Sequence, residues 1–335
     1  MAYTIVVDAM GGDEAPQAPV AGALLALEQD PELSLVLTGK PEVIQRELAG
    51  KTYDSSRLRI VATTEVVENE EHSPATAIRK KKDSSLVVAL NMVKKKEVDG
   101  LVSAGNTGAV LSGATLLVGR IQGVLRPALT VAFPTGDIPT LVLDVGANMD
   151  SKPAYLLQFA KMCQIYFTKQ YGIANPKVGL LNVGVEAGKG NALVKEAYEM
   201  LQSQEEMNFV GNIEAREVFS GDVHIVVTDG FAGNVLLKNT EGVVNFIMKK
   251  LKKELYSSFR IKLGALLVKP ALKKLKEDLD PRAVGGTPLL GVDGAVIKAH
   301  GNSNDIAIAS AIRQCVRFIQ SGVNAEIQSK LAEEK

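Results

Sequence analysis

The chain has no tryptophan, two cysteines and three histidines in 335 residues. Cys163 and Cys315 stand far apart, each in an apolar segment with helical spacing, so there is neither a disulfide framework nor a zinc pattern. Both read as buried, reduced thiols, since free cysteine packs as a small hydrophobe. No uninterrupted apolar run approaches the ~20 residues that a spanning helix needs. The first residues read as a strand ending at Asp8, without the layout of a secretion signal. A cytoplasmic protein is the expectation. Excess charge is missing too: 38 Lys and Arg balance 38 Asp and Glu. That balance argues against nucleic acid as a partner.

Glycine is plentiful, 30 residues, which points to many tight loops. Apolar runs of strand length alternate with segments of helical period from end to end. Such alternation is the pattern of an α/β fold: a mostly parallel sheet covered by helices on both faces. One large domain over 1–335 is expected, with a helical excursion at about 240–285. Gly285-Gly286-Thr287-Pro288 reads as a loop, and Ala295 to Lys298 as the last strand.

The stretch from Leu101 to Ala109, LVSAGNTGA, is the natural centre of the chain. Leu101 and Val102 close a buried strand. Gly105 and Gly108 let the backbone turn sharply and approach a ligand. Thr107 reads as the N-cap of a helix running towards Leu117. A strand, a small-residue turn and a helix N-terminus together suit an anion.

In open α/β sheets, ligands bind beyond the carboxyl ends of the strands. Here those ends carry Asp8 and Asp13, His72 and Ser73, Asn106 and Thr107, Asp144 and Asn148, Asn182 and Lys189, Asp229 and Asn234, and His300, Asn302 and Asn304. Seven polar loops are expected to converge on one edge. They hold many neutral amides, few cations and no evident nucleophile. There is no G-x-S-x-G elbow and no Cys in a polar loop, which argues against a covalent acyl-enzyme. Nucleotide motifs fail as well: Val183 stands where a Walker A loop has its first Gly, and the turn from Asp8 to Asp13 is not G-x-G-x-x-G. The set suits substrates that bring their own nucleophile and leaving group, positioned beside donors for an oxyanion.

The opening VVDAMGGDEAP (Val6 to Pro16) resembles that of the bacterial phosphate acyltransferase family, the acyl-carrier-protein:phosphate acyltransferases of phospholipid synthesis. So do SAGNTGA (Ser103 to Ala109), DVGAN (Asp144 to Asn148), NVG from Asn182 with Glu186 and Lys189-Gly190, TDGFAGN (Thr228 to Asn234) and HGNS (His300 to Ser303). The resemblance runs in order over nearly the whole chain. It implies transfer of a long-chain acyl group from the carrier protein's thioester to inorganic phosphate, with no cofactor and no metal. It also implies a fold like isocitrate dehydrogenase and phosphotransacetylase, a homodimer, and a membrane-bound acyltransferase that uses the acyl phosphate.

On that resemblance, Ser103, Gly105, Asn106, Thr107 and Gly108 cradle phosphate, with Asp229 and Asn302 beside the substrates. Lys189 neutralises phosphate or takes its proton; Asn234 and Asn148 donate to the oxyanion; His72 or His300 protonates the leaving thiolate. Each has a plainer reading. His72 and Asp229 can cap helices, Lys189 can be a solvated side chain, His300 can bond backbone, and His224 can be a satisfied core histidine. The basic run Arg79 to Lys82 is either a solvated face or a dock for an acidic carrier protein.

Two other functions stay open. One is a metal- and NAD-dependent decarboxylating dehydrogenase on a similar fold, recruiting Asp144 and Asp229 as ligands; the loops carry no Arg cluster for such a substrate. The other is a non-catalytic scaffold at a membrane surface, resting on residues 256–276. There the apolar run Leu263 to Val268 sits among lysines, and Pro270 is expected to break the helix into a hairpin with an apolar tip. That tip suits an anionic membrane surface or a subunit interface.

Overall fold

The computed structural model describes residues 3–278 and 286–333. Its strands are β1 (Tyr3–Asp8), β2 (Leu33–Gly39), β3 (Leu58–Ala62), β4 (Gly100–Ser103), β5 (Ala128–Phe133), β6 (Thr140–Leu143), β7 (Val178–Asn182), β8 (Phe209–Glu214), β9 (Ile225–Val227), β10 (Gly286–Leu290) and β11 (Ala295–Ala299). Its helices are α1 (Gln17–Gln29), α2 (Pro41–Leu48), α3 (Pro74–Lys80), α4 (Ser85–Lys94), α5 (Thr107–Gly113), α6 (Pro153–Tyr171), α7 (Ala192–Gln202), α8 (Gly230–Leu255), α9 (Phe259–Asp278), α10 (Asp305–Gln320) and α11 (Val323–Glu333). A π-helical turn, Ala114–Val118, continues α5.

All the strands join one sheet in the order β3-β2-β1-β4-β11-β10-β5-β6-β9-β7-β8. Helices cover both faces. Alternate residues of β1 show how: Ile5 and Val7 join one core with α1, α2, α6, α7, α10 and α11, whereas Val6 joins a second core with α3, α4 and α5. The sheet is mostly parallel, but β10 pairs antiparallel with both β11 and β5, and β5 pairs antiparallel with β6. Three successive reversals leave β6, β9, β7 and β8 running opposite to β3, β2, β1, β4 and β11.

This changes the expected site. The polar loops do not share one edge. Those after β1, β4 and β11 leave one edge, and those after β6, β7 and β9 leave the other. The two reversals at β10 cancel and leave β5 parallel to β11, so the antiparallel pairing of β5 with β6 is what turns the rest of the sheet. The segment expected to be a loop, Gly286 to Leu290, is itself a strand, with Gly285 outside the described residues. Glycine and proline are poor strand formers. Burial of Pro288, Leu289 and Leu290 between β11 and β5 overrides that preference.

The helical excursion is a hairpin of α8 and α9 that turns at Tyr256, Ser257 and Ser258. The Ser258 hydroxyl accepts the Ile261 N–H at 3.3 Å and starts the second helix. Pro270 therefore does not break the helix; it lies inside α9. The run Leu263 to Val268 lies along α9 instead of forming the tip, with Leu266 and Leu267 64% and 83% exposed. The side chains of Lys273, Lys274 and Lys276 fall outside the described set.

Candidate active site

The loops after β1, β4 and β11 are tied together by short polar side chains. Asp8 is buried at the end of β1, where Ser103 Oγ donates to its Oδ2 at 2.8 Å. Burial pushes the Asp8 carboxyl above the usual carboxylate range, against the hydrogen bonds from Ser85 and Ser103. Ser103 Oγ also accepts the Gly105 N–H at 3.1 Å. A Cβ at Gly11 would stand 2.6 Å from Asp8 Oδ2 and 2.7 Å from Gly105 N, so only glycine lets these loops meet. Ser103 and Gly105 shape the turn from within and are buried.

The N-cap of α5 is Asn106, one residue before the expected Thr107. Its Oδ1 accepts the Ala109 N–H at 2.9 Å, and its Nδ2 donates to the Asn69 carbonyl at 2.8 Å. Asn69 in turn donates to Asp13 at 2.9 Å, which brings the loop before α3 against the other two. Thr107 takes the first helical position with its side chain exposed, and Gly108 follows under Pro74. The first-turn N–H groups of Thr107 and Gly108 have no partner within the helix.

Two connected spaces open here. One is a surface depression lined by Asp13, Asn69, Asn106, Thr107, Lys298 and Gly301. The other is a cavity of about 180 Å³ on the second face, over β5, β10 and β11 and between α5 and α8. Leu129, Val131, Val145 and Leu237 make its apolar wall. Asn234, Lys238, Lys298, His300 and Glu241 are among its polar groups, and Thr107 stands at its side. Asn234 reaches it from the opposite edge because α8 starts there and runs back across the sheet. A Cβ at Gly233 would stand 1.9 Å from the Asp144 carbonyl oxygen, so glycine lets α8 press this closely on β6.

His300 Nε2 stands 3.3 Å from Glu241 Oε1, and Lys238 donates to Glu241 Oε2 at 2.9 Å. The hydrogen bond from His300, then Lys238, holds the Glu241 carboxyl down at about 2. Glu241 thus remains an anion throughout the neutral range and orients the imidazole. Neither Glu241 nor Lys298 was singled out from sequence. Glu241 lies mid-helix among ordinary surface residues. Lys298 did leave a signal: it is the one charge in an otherwise apolar strand, AVIKA.

The remaining candidates lie elsewhere. Asn148 Nδ2 donates to the Pro127 carbonyl at 2.8 Å and to Asp144 Oδ2 at 2.9 Å, which commits both of its amide hydrogens. Asp144 is fully buried and also accepts N–H groups of Leu129, Ala147 and Asn148 at 3.0, 3.0 and 2.6 Å. Burial still pushes its carboxyl upward. Asp229 caps α8, its Oδ1 accepting the N–H groups of Phe231 and Ala232 at 2.9 Å. No group of three His, Cys, Asp or Glu among the described residues is arranged to hold a metal ion, and Asp144 and Asp229 are engaged as described.

Lys189 is exposed in the loop after β7, on the edge away from the depression. His72 and Asn302 are exposed and line neither space. His224 is half-buried: its Nδ1 accepts the Lys177 N–H at 2.9 Å and its ring packs on Phe167.

Solved structures share this architecture. A phosphotransacetylase from Staphylococcus aureus superposes with a TM-score of 0.58 at 15% identity, covering 96% of this chain and 94% of that one. A 4-hydroxythreonine-4-phosphate dehydrogenase from Klebsiella pneumoniae gives 0.54 at 11%, covering 95% and 100%. The fold is thus of the phosphotransacetylase type, which hosts more than one chemistry.

Sequence relatives narrow the class. The fatty acid synthesis protein family matches residues 3–326. A phosphate acyltransferase of Clostridium novyi (strain NT) is 46% identical over 327 residues, 98% of either chain. One of Clostridioides difficile (strain 630) is 48% identical over 324 residues, 96% of this chain and 94% of that one. The chain belongs to the fatty acid synthesis protein family, and it is an acyltransferase.

Proposed function

We propose that the protein moves a long-chain acyl group from the thioester of acyl-carrier protein to inorganic phosphate, giving an acyl phosphate for phospholipid synthesis. The observation that carries this reading is that the Asn106–Gly108 turn lines a depression which shares Thr107, Lys298 and Gly301 with the cavity of Asn234 and the Glu241–His300 pair, in a chain nearly half identical to phosphate acyltransferases over 98% of its length.

Phosphate enters the depression beside the α5 N-terminus, where the dipole and the N–H groups of the first turn favour an anion. The thioester carbonyl sits in the cavity with Asn234 donating to its oxygen. Phosphate oxygen attacks the carbonyl carbon, a tetrahedral oxyanion forms, and the C–S bond breaks. His300, oriented by Glu241, delivers a proton to the departing thiolate; a thiolate of pKa about 8.5 also leaves readily unaided. At about 180 Å³ the cavity is smaller than the roughly 300–1,000 Å³ of enclosed ligand sites, so it takes the reacting ends and the acyl chain extends outwards.

Other parts of the reading rest on the surface. Arg79, Lys80 and Lys82 are exposed beyond Pro74, which packs under the phosphate turn, and form a dock for an acidic carrier protein. A homodimer belongs to the same reading. Within one chain Lys189 does not reach the cavity, and a second copy is what would bring it there. The exposed Leu266 and Leu267 among the hairpin lysines form a contact with anionic lipid, near a membrane-bound acyltransferase that takes the product. No helix among the described residues is long and apolar enough to cross a membrane.

Hydroxylamine trapping tests the central claim. Purified protein, phosphate and acyl-carrier-protein thioester should yield phosphate-dependent hydroxamate. Absence of phosphate-dependent product overturns the reading, and reduction of NAD with hydroxy acids at 340 nm would favour the dehydrogenase.

A further inference from the structure

Lys298 has no task in the account above. On β11 it continues the row of Val296, which faces the second core. An apolar side chain would be the less costly occupant of that position, since a buried charge is expensive unless paired. Yet the residue is only 7% exposed. Its Nζ donates to the Ala299 carbonyl and stands 3.5 Å from the Ala104 carbonyl. An ammonium has three donors, so one is left over. Among the described residues Lys298 makes no ion pair, although Asp8 and Asp13 at the end of β1 act on it from further off. It lines both the depression and the cavity, as do Thr107 and Gly301. Among the described residues no other cation lines the depression, and Lys238, which lines the cavity, is paired with Glu241.

We propose that Lys298 is the phosphate-binding cation of this site: its spare N–H donates to a phosphate oxygen where the depression opens into the cavity, holding the nucleophile against the carbonyl carbon. The assignment rests on the acyl-to-phosphate reading. It gives the unpaired charge an anion that the fold itself does not supply. Lysine suits the place because its ammonium is a compact point charge that sits between two strand-end carbonyls. Burial lowers its pKa to about 8, so it is still a cation at neutral pH, and a bound dianion strengthens that charge. The charged groups facing it are Asp8 from β1, Asp13 from the loop that follows, Lys238 and Glu241 from α8, and His300 beyond its own strand.

Lys298→Met and Lys298→Arg test the assignment. With inorganic phosphate as the only ligand, the melting temperature of the parent should rise relative to chloride at equal ionic strength. Lys298→Met should fold at least as well in chloride, lose that rise, and show a phosphate KM increased by about tenfold or more. Lys298→Arg should keep part of the rise. A second measurement needs no variant: the parent's phosphate KM should climb as pH passes about 8. A Met variant with the parental phosphate shift and KM overturns the proposal, and so does a parental KM that stays flat to pH 9.5. Failure of the parent itself to make acyl phosphate would instead condemn the underlying reading.

Discussion

Replacing Asn148 by Ala separates a fold-holding residue from an oxyanion donor. In the folded protein both Nδ2 hydrogens are used, at 2.8 Å to Pro127 O and 2.9 Å to Asp144 Oδ2. The second bond is to a carboxylate with no exposure at all. A hydrogen bond to a charged group is worth about 1.5–3 kcal/mol and a neutral one about 0.5–1.5. Asp144 keeps three backbone donors in the variant, so the lower half of the combined range applies, about 2–3 kcal/mol. For a chain of this size each kcal/mol moves the melting temperature by roughly 1.4 °C, giving a fall of about 3–4 °C. Calorimetry measures that fall. Hydroxamate kinetics, run well below the transition, should give kcat within about threefold of the parent, since no amide hydrogen is withdrawn from the substrate. An unmoved melting temperature with kcat reduced by about 10² or more, the scale of a lost oxyanion donor, would refute the argument and return Asn148 to the catalytic set.

Thr107→Ala removes an exposed hydroxyl with no partner among the described residues; phosphate KM should rise by about tenfold with the melting temperature unmoved, the size of one lost bond to an anion, and an unchanged KM would remove Thr107 from the phosphate site. Leu266→Glu with Leu267→Glu should abolish salt-sensitive binding to anionic vesicles and leave acyl transfer in solution largely intact; loss of a dimer or precipitation would mark a buried interface instead. His224 supplies a pH dependence. Burial and Lys177 lower its pKa, and its Nδ1 must stay unprotonated to accept the Lys177 N–H. The unfolded chain takes up the proton near 6.5, so this stability is complete above that pH and is lost as pH falls below it. The urea midpoint should therefore drop more between pH 7.5 and 5.5 in the parent than in His224→Asn, and equal drops would dismiss His224 as the cause.

Local chemistry was legible in the residues alone. Alternation of apolar strand runs with helical segments was enough for an α/β fold, because a sheet buried on both faces needs such runs whatever their order. LVSAGNTGA announced a strand, a tight turn and a helix start, since each depends on residues within a few positions of one another; only the cap moved, from Thr107 to Asn106, whose longer side chain also reaches Asn69. The family motifs were legible for the same reason. Strand direction, and therefore which loops meet, was set by long-range packing. Gly286 to Leu290 carries turn-forming residues, yet burial between β11 and β5 makes it a strand, and the antiparallel pairing of β5 with β6 turns β6, β9, β7 and β8 around. That reversal takes Lys189 to the far edge, while the length of α8 carries Asn234 and Glu241 back to the cavity. The amide of Asn148 is committed to Asp144 and Pro127, and Lys298, not Lys189, lines the depression. Composition and spacing specify neither, because a hydrogen-bond partner and a neighbour's charge are set by distances between residues far apart in the chain.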